Sequence, residues 1–168
     1  MTHIKRILLV EDSVNDITLT TSALRAAGLV NEIVTCRDGV EALDYLYRRA
    51  QFTGRGDDTC PAVVLLDLKM PRMDGLEVLA KLRGDERFRT LPVVMITSSA
   101  EEQDMIRSYH LGVNGYVVKP VTHDDFIEAI KEVGLFWAVV NQPPPQLDGR
   151  KVAGAEPIQS ASDANNPK

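Results

Sequence analysis

Several side chains that can bind metal ions or phosphate follow short apolar segments of this 168-residue chain. Glu11 and Asp12 follow the first such segment, and Asp67 follows a later segment that is apolar throughout. If these carboxylates lie close together, their like charges disfavour joint ionisation, and a divalent cation would relieve the repulsion. Mg²⁺ takes oxygen ligands and commonly binds one or two carboxylates together with a phosphate group. The pattern therefore predicts a site where Mg²⁺ and phosphate meet.

Two further polar side chains, Thr97 and Lys119, end other apolar segments. The Lys119 ammonium suits a phosphate oxygen as a point charge, and the Thr97 hydroxyl can donate a hydrogen bond to another. A carboxylate such as Asp67 can act as a nucleophile and form an aspartyl phosphate. Lys69, two residues later, could offer its backbone carbonyl to the metal. Taken singly, each residue also suits an ordinary loop or turn, and only their joint occurrence favours phosphoryl transfer.

The elements that must position these residues alternate between strands and helices. Short apolar segments predict five strands, at residues 7–10, 32–36, 62–66, 92–96 and 115–118. Apolar residues at helical spacing follow each strand and predict five helices. Such alternation is typical of a doubly wound α/β fold with a parallel sheet. Ligands of these sheets bind outside the carboxyl ends of the strands, which is where the candidate site residues stand.

Composition and charge narrow the possible functions. The net charge is −5, which gives no electrostatic attraction to nucleic acid. The chain has no signal-peptide pattern and no apolar run near the roughly 18 residues of a membrane helix, so we expect a cytoplasmic protein without nucleic-acid or membrane partners. From residue 143 the chain is rich in Pro, Gly, Ala, Asn and Ser. This predicts a domain at 1–142 and a disordered tail at 143–168.

The chain resembles the receiver domain of bacterial two-component response regulators of the chemotaxis-protein type. The matching segments are ILLVED at 7–12, VLLDLKMPRMDG at 64–75, PVVMIT at 92–97 and GYVVKP at 115–120. The resemblance implies the flavodoxin-like strand order 2-1-3-4-5 and a phosphoacceptor rather than an enzyme. It implies that Asp67 is phosphorylated by a histidine kinase and that Mg²⁺ is the cofactor, bound by Glu11 and Asp12. Thr97 and Lys119 would then contact the phosphoryl group.

The resemblance also implies how a signal would leave the site. Tyr116 stands at the position of the family's aromatic switch, and a peptide bond of the cis form would join Lys119 to Pro120. Phosphorylation would shift the face formed by the fourth helix, the fifth strand and the last helix. The last helix, predicted to run to about residue 140, carries more apolar residues than one buried stripe needs. Phe136, Trp137 and Val140 are therefore predicted interface residues of a homodimer. Docking onto the kinase and closure of the chain's own core are the alternatives.

A closer resemblance links the chain to small regulators paired with phytochrome histidine kinases. The segments that carry it are DYLYRR at 44–49, DERF at 85–88, RSYHLG at 107–112 and FW at 136–137. It implies a bacteriophytochrome as the kinase, in a red-light pathway, and a homodimer. Since no second domain follows, output would pass through protein contacts or through a downstream phosphotransfer protein.

Three rival functions share parts of this pattern. A degenerate receiver would act as an interaction module without phosphorylation, but the chain retains all the expected polar residues. A magnesium-dependent aspartyl-phosphate phosphatase usually needs a second Asp two residues after the nucleophile, and that position is Lys69. A flavin-binding protein of the same topology would need a phosphate-binding loop where Glu11 and Asp12 stand.

Overall fold

A computed structural model of the chain describes residues 4–55, 60–120, 122–142 and 144. Its five strands form one parallel sheet in the order β2-β1-β3-β4-β5. The strands are β1 (Ile7–Val10), β2 (Ile33–Cys36), β3 (Val63–Leu66), β4 (Val93–Thr97) and β5 (Gly115–Val118). The predicted α/β fold and strand order are confirmed. The central strands β1, β3 and β4 are buried along their whole length, as expected for a sheet covered on both faces.

Five α-helices connect the strands and cover the sheet. They are α1 (Val14–Ala26), α2 (Gly39–Tyr47), α3 (Gly75–Gly84), α4 (Glu102–His110) and α5 (His123–Leu135). Four of them begin at a side chain that caps the first turn, namely Ser13, Asp38, Asp74 and Thr122. Asp74 and Glu77 form the predicted capping box, in which each side chain accepts a hydrogen bond from the other residue's backbone N–H. This satisfies donors that a helix start leaves unpaired.

Two apolar cores lie on opposite faces of the sheet. Because successive strand residues point to opposite faces, Leu8 and Val10 of β1 pack with α2 and α3, while Ile7 and Leu9 pack with α1 and α5. Helices α1 and α5 approach so closely that a β-carbon at Gly134 would meet side-chain atoms of Leu24 and Leu29.

The structure refines one expectation about the backbone and corrects another. The last helical segment reaches residue 140 as predicted, but α5 ends at Leu135 and the final turn at Phe136–Val140 is π-helical. No peptide bond among the described residues is cis, so the expected cis form before Pro120 is wrong here. The trans form is the intrinsically favoured one for X–Pro bonds, by about 0.5–1 kcal/mol.

The structure describes only part of the polar segment after α2 and of the predicted tail. The polar segment after α2 contains a short 3₁₀ helix at Ala50–Phe52. The predicted tail at 143–168 lies, except for residue 144, outside the described residues. Among the described helices, each is too short or too polar to cross a lipid bilayer.

Candidate functional site

Backbone hydrogen bonds continue the sheet one residue beyond three strands and thereby align the candidate residues. The Glu11 N–H donates to the Cys36 carbonyl at 3.0 Å, and the Asp67 N–H donates to the Val10 carbonyl at 2.9 Å. The Lys119 N–H donates to the Thr97 carbonyl at 2.7 Å. The first residue after each of these strands is therefore held by the sheet, and Glu11, Asp67 and Lys119 meet at its carboxyl edge.

Three carboxylates converge at this edge. Glu11, Asp12 and Asp67 each place one carboxylate oxygen within 4.8 Å of the others. Glu11 is 4% exposed and Asp67 is 8% exposed, while Asp12 is half-buried. Partly buried oxygen ligands at this spacing suit a hard divalent cation that keeps some of its water ligands. The donor set therefore fits the predicted metal site.

The Lys119 ammonium lies among these carboxylates. Its Nζ is 2.8 Å from Glu11 Oε2, 2.7 Å from Asp16 Oδ2 and 4.0 Å from Asp67 Oδ2. Glu11 Oε1 also accepts a hydrogen bond from the Ser13 N–H at 3.0 Å. A role for Asp16 was not among the predictions from the sequence. Its place in the first turn of α1, directly after β1, was the available signal, since that turn must lie at the carboxyl edge.

Burial and charge act against each other in this cluster. Burial raises the pKa of Glu11 to about 7, although Lys119 and the Ser13 N–H donate to its carboxylate. Burial also raises the pKa of Asp67, in part opposed by Lys119. For Lys119 burial disfavours the charge, but hydrogen bonds to Asp16 and Glu11 outweigh it and raise the pKa of the ammonium. The pKa values of the carboxylates and of the ammonium can all be raised because one ammonium faces several carboxylates. The site therefore still favours further positive charge.

Thr97 lies beside Asp67 at the end of β4. It is fully buried, and a hydrogen bond with its side chain helps to stabilise the Asp67 carboxylate. Asp67 Oδ1 also accepts from the Leu68 N–H at 2.8 Å. Thr97 Oγ1 accepts from the Ser99 N–H at 3.2 Å. The Thr97 hydroxyl thus lies beside the predicted phosphoacceptor, and its donation to a phosphoryl oxygen stays a prediction.

The loop from β3 to α3 approaches Asp67 closely. A β-carbon at Gly75 would collide with the backbone carbonyl oxygen of Asp67, so only glycine fits without displacement. Arg72 adopts a left-handed backbone (φ 64°), and its Nε donates to Asp38 Oδ2 at 2.7 Å. Because Asp38 also caps α2, this ion pair ties the loop to the neighbouring helix.

Lys69 points its side chain away from the three carboxylates. Its Nζ lies 3.2 Å from Asp104 Oδ2, and the ammonium side chain is 61% exposed. A role of its backbone carbonyl in metal binding stays a prediction. Asp104 is a second residue that sequence reasoning missed. It is acidic and lies in the first turn of α4, but nothing in the sequence pairs it with Lys69.

The predicted switch and interface residues lie away from the carboxylates. The half-buried Tyr116 donates from its hydroxyl to the Ser99 carbonyl at 3.0 Å. Phe136 and Val140 are 49% and 62% exposed, as expected for residues free to meet a partner. Trp137 differs, because it is half-buried against the core formed by α1 and α5. The π-helical turn therefore divides the apolar end of the chain between core and surface.

The segment that carries these site residues matches a known protein family. The model of the response regulator receiver domain matches residues 7–131, which contain all three carboxylates together with Thr97 and Lys119. The chain belongs to this family. Receiver domains are components of two-component signalling.

Two relatives of this receiver domain are themselves regulatory proteins. The probable methanogenesis regulatory protein FilR2 of Methanothrix harundinacea is 39% identical over 138 residues, which cover 82% of this chain and 86% of FilR2. Response regulator Rcp1 of Synechocystis is 35% identical over 133 residues, which cover 79% of this chain and 88% of Rcp1.

Solved structures similar to this receiver domain include phytochrome response regulators. The phosphorylated cyanobacterial phytochrome response regulator RcpA has a TM-score of 0.78 and 36% identity, covering 85% of this chain and 100% of RcpA. The bacteriophytochrome response regulator RtBRR has a TM-score of 0.69 and 53% identity, covering 86% of both chains. A Mn²⁺-bound form of Rcp1 has a TM-score of 0.77 and 34% identity, covering 84% of this chain and 99% of Rcp1. The receiver domain thus has homologues tied to phytochrome signalling.

Proposed function

We propose that this receiver domain is a phosphoacceptor, and that Asp67 takes a phosphoryl group from the phosphohistidine of a histidine kinase. In this transfer an Asp67 carboxylate oxygen forms a bond to phosphorus, the bond from phosphorus to the histidine nitrogen breaks, and the imidazole leaves. The observation that carries the proposal is the meeting of Asp67 with two further carboxylates and the Lys119 ammonium at one edge of the sheet.

The residues around Asp67 can help to neutralise the negative charge of the transferred phosphoryl group. Glu11, Asp12, Asp67 and the Lys69 backbone carbonyl would hold Mg²⁺, which when bound neutralises charge on the transferred group. Lys119 supplies a second positive charge within 4.0 Å of Asp67. Positioning and charge neutralisation are the main protein contributions to phosphoryl transfer.

The contacts of Thr97 and Tyr116 suggest how occupancy of Asp67 reaches the surface. A phosphoryl group adds about −1.5 to −2 charge and three acceptor oxygens, and the Thr97 hydroxyl would donate to one of them. Both Thr97 and Tyr116 contact Ser99, so a movement of Thr97 can alter the rotamer of Tyr116. The result would be a population shift of the face formed by α4, β5 and α5.

The partners follow from the family and its relatives. A histidine kinase is the donor, and we propose a phytochrome kinase because similar regulators carry that name. Phe136 and Val140 would contact a second copy of the chain. Output would pass through this dimer or a downstream phosphotransfer protein. The division into a domain at 1–142 and a tail at 143–168, and a cytoplasmic location, stay predictions.

The experiment that tests the proposal is intact mass spectrometry after incubation with acetyl phosphate. The wild type should gain one phosphoryl group with Mg²⁺ and none without it, and Asp67→Asn should gain none. Asp124→Asn, which removes an exposed carboxylate from α5, should behave as the wild type. If neither acetyl phosphate nor a phosphorylated phytochrome kinase modifies the wild type, the alternative of a non-phosphorylated interaction module replaces this proposal.

The proposed phosphatase alternative is tested in the same samples. A phosphatase would hydrolyse acetyl phosphate over many turnovers, whereas a phosphoacceptor releases phosphate only as fast as its own aspartyl phosphate decays. The Lys69 side chain, paired with Asp104, occupies the position at which a phosphatase would need an acid. For this reason we propose a phosphoacceptor rather than a phosphatase.

A further inference from the structure

One buried carboxylate outside the metal cluster joins three elements around Asp67. Asp104, in the first turn of α4, is 6% exposed. Its Oδ2 accepts a hydrogen bond from Ser99 Oγ at 2.7 Å and lies 3.2 Å from Lys69 Nζ. The Ser99 hydroxyl, followed by the Lys69 ammonium, holds the pKa of Asp104 below its usual range. Asp104 is therefore a charged group with two defined partners.

These contacts form a closed ring that includes the phosphoacceptor. A hydrogen bond joins Asp67 to the Thr97 side chain, and Thr97 Oγ1 accepts a hydrogen bond from the Ser99 N–H. The Ser99 hydroxyl donates to Asp104, Asp104 forms an ion pair with Lys69, and Lys69 follows Asp67 by two residues. We call Asp67, Thr97, Ser99, Asp104 and Lys69 the acceptor ring. It links the loop after β3, the loop after β4 and the start of α4.

We propose that Asp104 is a positioning residue, which holds Lys69 and Ser99 in the unphosphorylated arrangement and thereby shortens the lifetime of a phosphoryl group on Asp67. This inference rests on the proposed function. A phosphoryl group adds about −1.5 to −2 charge two residues before Lys69. The Lys69 ammonium is drawn to that charge, and the Asp104 carboxylate competes for it.

The same carboxylate also restrains Ser99. A displacement of Thr97 Oγ1 toward a phosphoryl oxygen would change its contact with the Ser99 N–H, which is 3.2 Å long. Asp104 anchors the Ser99 side chain to α4 and opposes that change. A ligand or modification shifts a two-state equilibrium only by its differential interaction with the two states, so a contact favouring the unphosphorylated arrangement disfavours the phosphorylated one.

The test is the decay of the aspartyl phosphate in the Asp104→Asn variant. Asn keeps an oxygen that can accept from Ser99 Oγ but removes the charge that holds Lys69. The protein is phosphorylated with acetyl phosphate and Mg²⁺, the donor is removed, and intact mass is followed over time. We expect a half-life about two- to fivefold longer than that of the wild type, the range of an exposed ion pair. At about 1 M salt, where the Debye length is near 3 Å, the difference should shrink.

Two further variants separate positioning from a general effect on α4. Glu102→Gln removes an exposed carboxylate from the same helical turn and should leave the half-life at the wild-type value. Lys69→Gln breaks the ion pair from its exposed end and therefore leaves the fold intact. In the Lys69→Gln background, Asp104→Asn should change the half-life less than twofold, because the partner is already absent. A purely structural role of Asp104 would give the same change in both backgrounds.

The acceptor ring can also be tested without metal or phosphate. In the metal-free protein, Asp104→Ala should speed amide hydrogen exchange at residues 98–101, because Ser99 loses its anchor. Unchanged exchange there would overturn the inference, as would an Asp104→Asn half-life equal to or below the wild-type value. If the wild type itself takes up no phosphoryl group, the proposed function fails and this inference fails with it.

Discussion

At the scale of single residues, Glu11 carries the largest electrostatic cost of the site. It is nearly fully buried, and burial in a medium of low polarity disfavours the charged carboxylate. One hydrogen bond from Lys119 at 2.8 Å does not offset this, because Lys119 is shared with Asp16. A divalent cation bound by Glu11, Asp12 and Asp67 would favour the charged carboxylate of Glu11.

This cost should appear as a pH-dependent difference between the wild type and Glu11→Gln. Burial raises the pKa of Glu11 to about 7 in the folded protein from its ordinary value of 4.5, so the folded chain retains a proton that the unfolded chain loses. The stabilisation from that proton is complete below the unfolded pKa and is lost as pH rises through the folded pKa. The wild type should thus lose on the order of 1–3 kcal/mol relative to Glu11→Gln between about pH 5 and 8. Urea unfolding of both proteins in EDTA measures this.

The matched control is the same measurement with excess Mg²⁺. A cation that binds the folded protein stabilises it by mass action and needs the deprotonated ligand. Mg²⁺ should therefore raise the stability of the wild type at pH 8 more than that of Glu11→Gln. Parallel pH profiles for the two proteins in EDTA would contradict burial as the dominant influence on Glu11.

At the scale of elements, the site depends on how closely the loop after β3 returns to its strand. The Gly75 N–H donates to the Leu68 carbonyl at 2.8 Å, and the absent side chain lets α3 begin directly against Asp67. The Asp74 capping box then fixes the direction of α3. These contacts and the hydrogen bond from the Asp67 N–H to the Val10 carbonyl position the Asp67 backbone from both sides.

Gly75→Ala should therefore damage both stability and phosphorylation. The added β-carbon overlaps the Asp67 carbonyl oxygen, and overpacking of this kind costs about 1–3 kcal/mol. We expect the free energy of unfolding to fall by that amount and the rate of phosphorylation by acetyl phosphate to fall with it. Urea unfolding and intact mass report the two effects.

Gly84→Ala is the control within the same helix. A β-carbon at Gly84 would have no atom within 4 Å, and alanine is favoured over glycine in helices by roughly 0.5–1 kcal/mol. This variant should be as stable as the wild type or more so, with unchanged phosphorylation. Equal losses in the two variants would mean that the close approach to Asp67 is not the cause.

At the scale of the whole molecule, exposed apolar residues lie side by side at the end of α5 and in the π-helical turn that follows it. Leu135, Phe136, Val139 and Val140 are between 40% and 62% exposed, while Trp137 and Ala138 pack against the core of α1 and α5. Exposed apolar patches of several neighbouring residues are typical of interaction sites. The same turn therefore closes the domain on one side and offers a surface on the other.

Phe136→Asp should convert the proposed homodimer to a monomer without unfolding it. The Phe136 side chain is about half exposed, so the free energy of unfolding should change by no more than about 0.5 kcal/mol. Light scattering of wild type and variant measures the mass. Val14→Asp places the same charge on an exposed apolar residue at the start of α1 and should leave the dimer intact. A wild type that is monomeric at high concentration contradicts the dimer.

Local sequence patterns specify the strands and helices and identify the residues at the strand ends. Uniform apolar segments identify buried parallel strands, and polar residues directly after them must lie at the carboxyl edge, whatever the details of packing. This is why the alternating strands and helices, the capping box at Asp74 and the meeting of Glu11, Asp12, Asp67, Thr97 and Lys119 could be predicted from the residues, whereas the strand order was implied by the resemblance to receiver domains. Each of these features depends on residues that are neighbours in the chain or on a general rule of sheet topology.

The pairing of side chains across the site depends on the tertiary structure and could not be predicted from local sequence patterns. Lys119 and Asp16 are 103 residues apart, and no local pattern relates them or joins Lys69 to Asp104. The division of Phe136 and Trp137 between surface and core likewise depends on where α5 lies against α1. Such pairings depend on the exact distances between packed elements. Apolar periodicity specifies which face of an element is buried, but not that spacing.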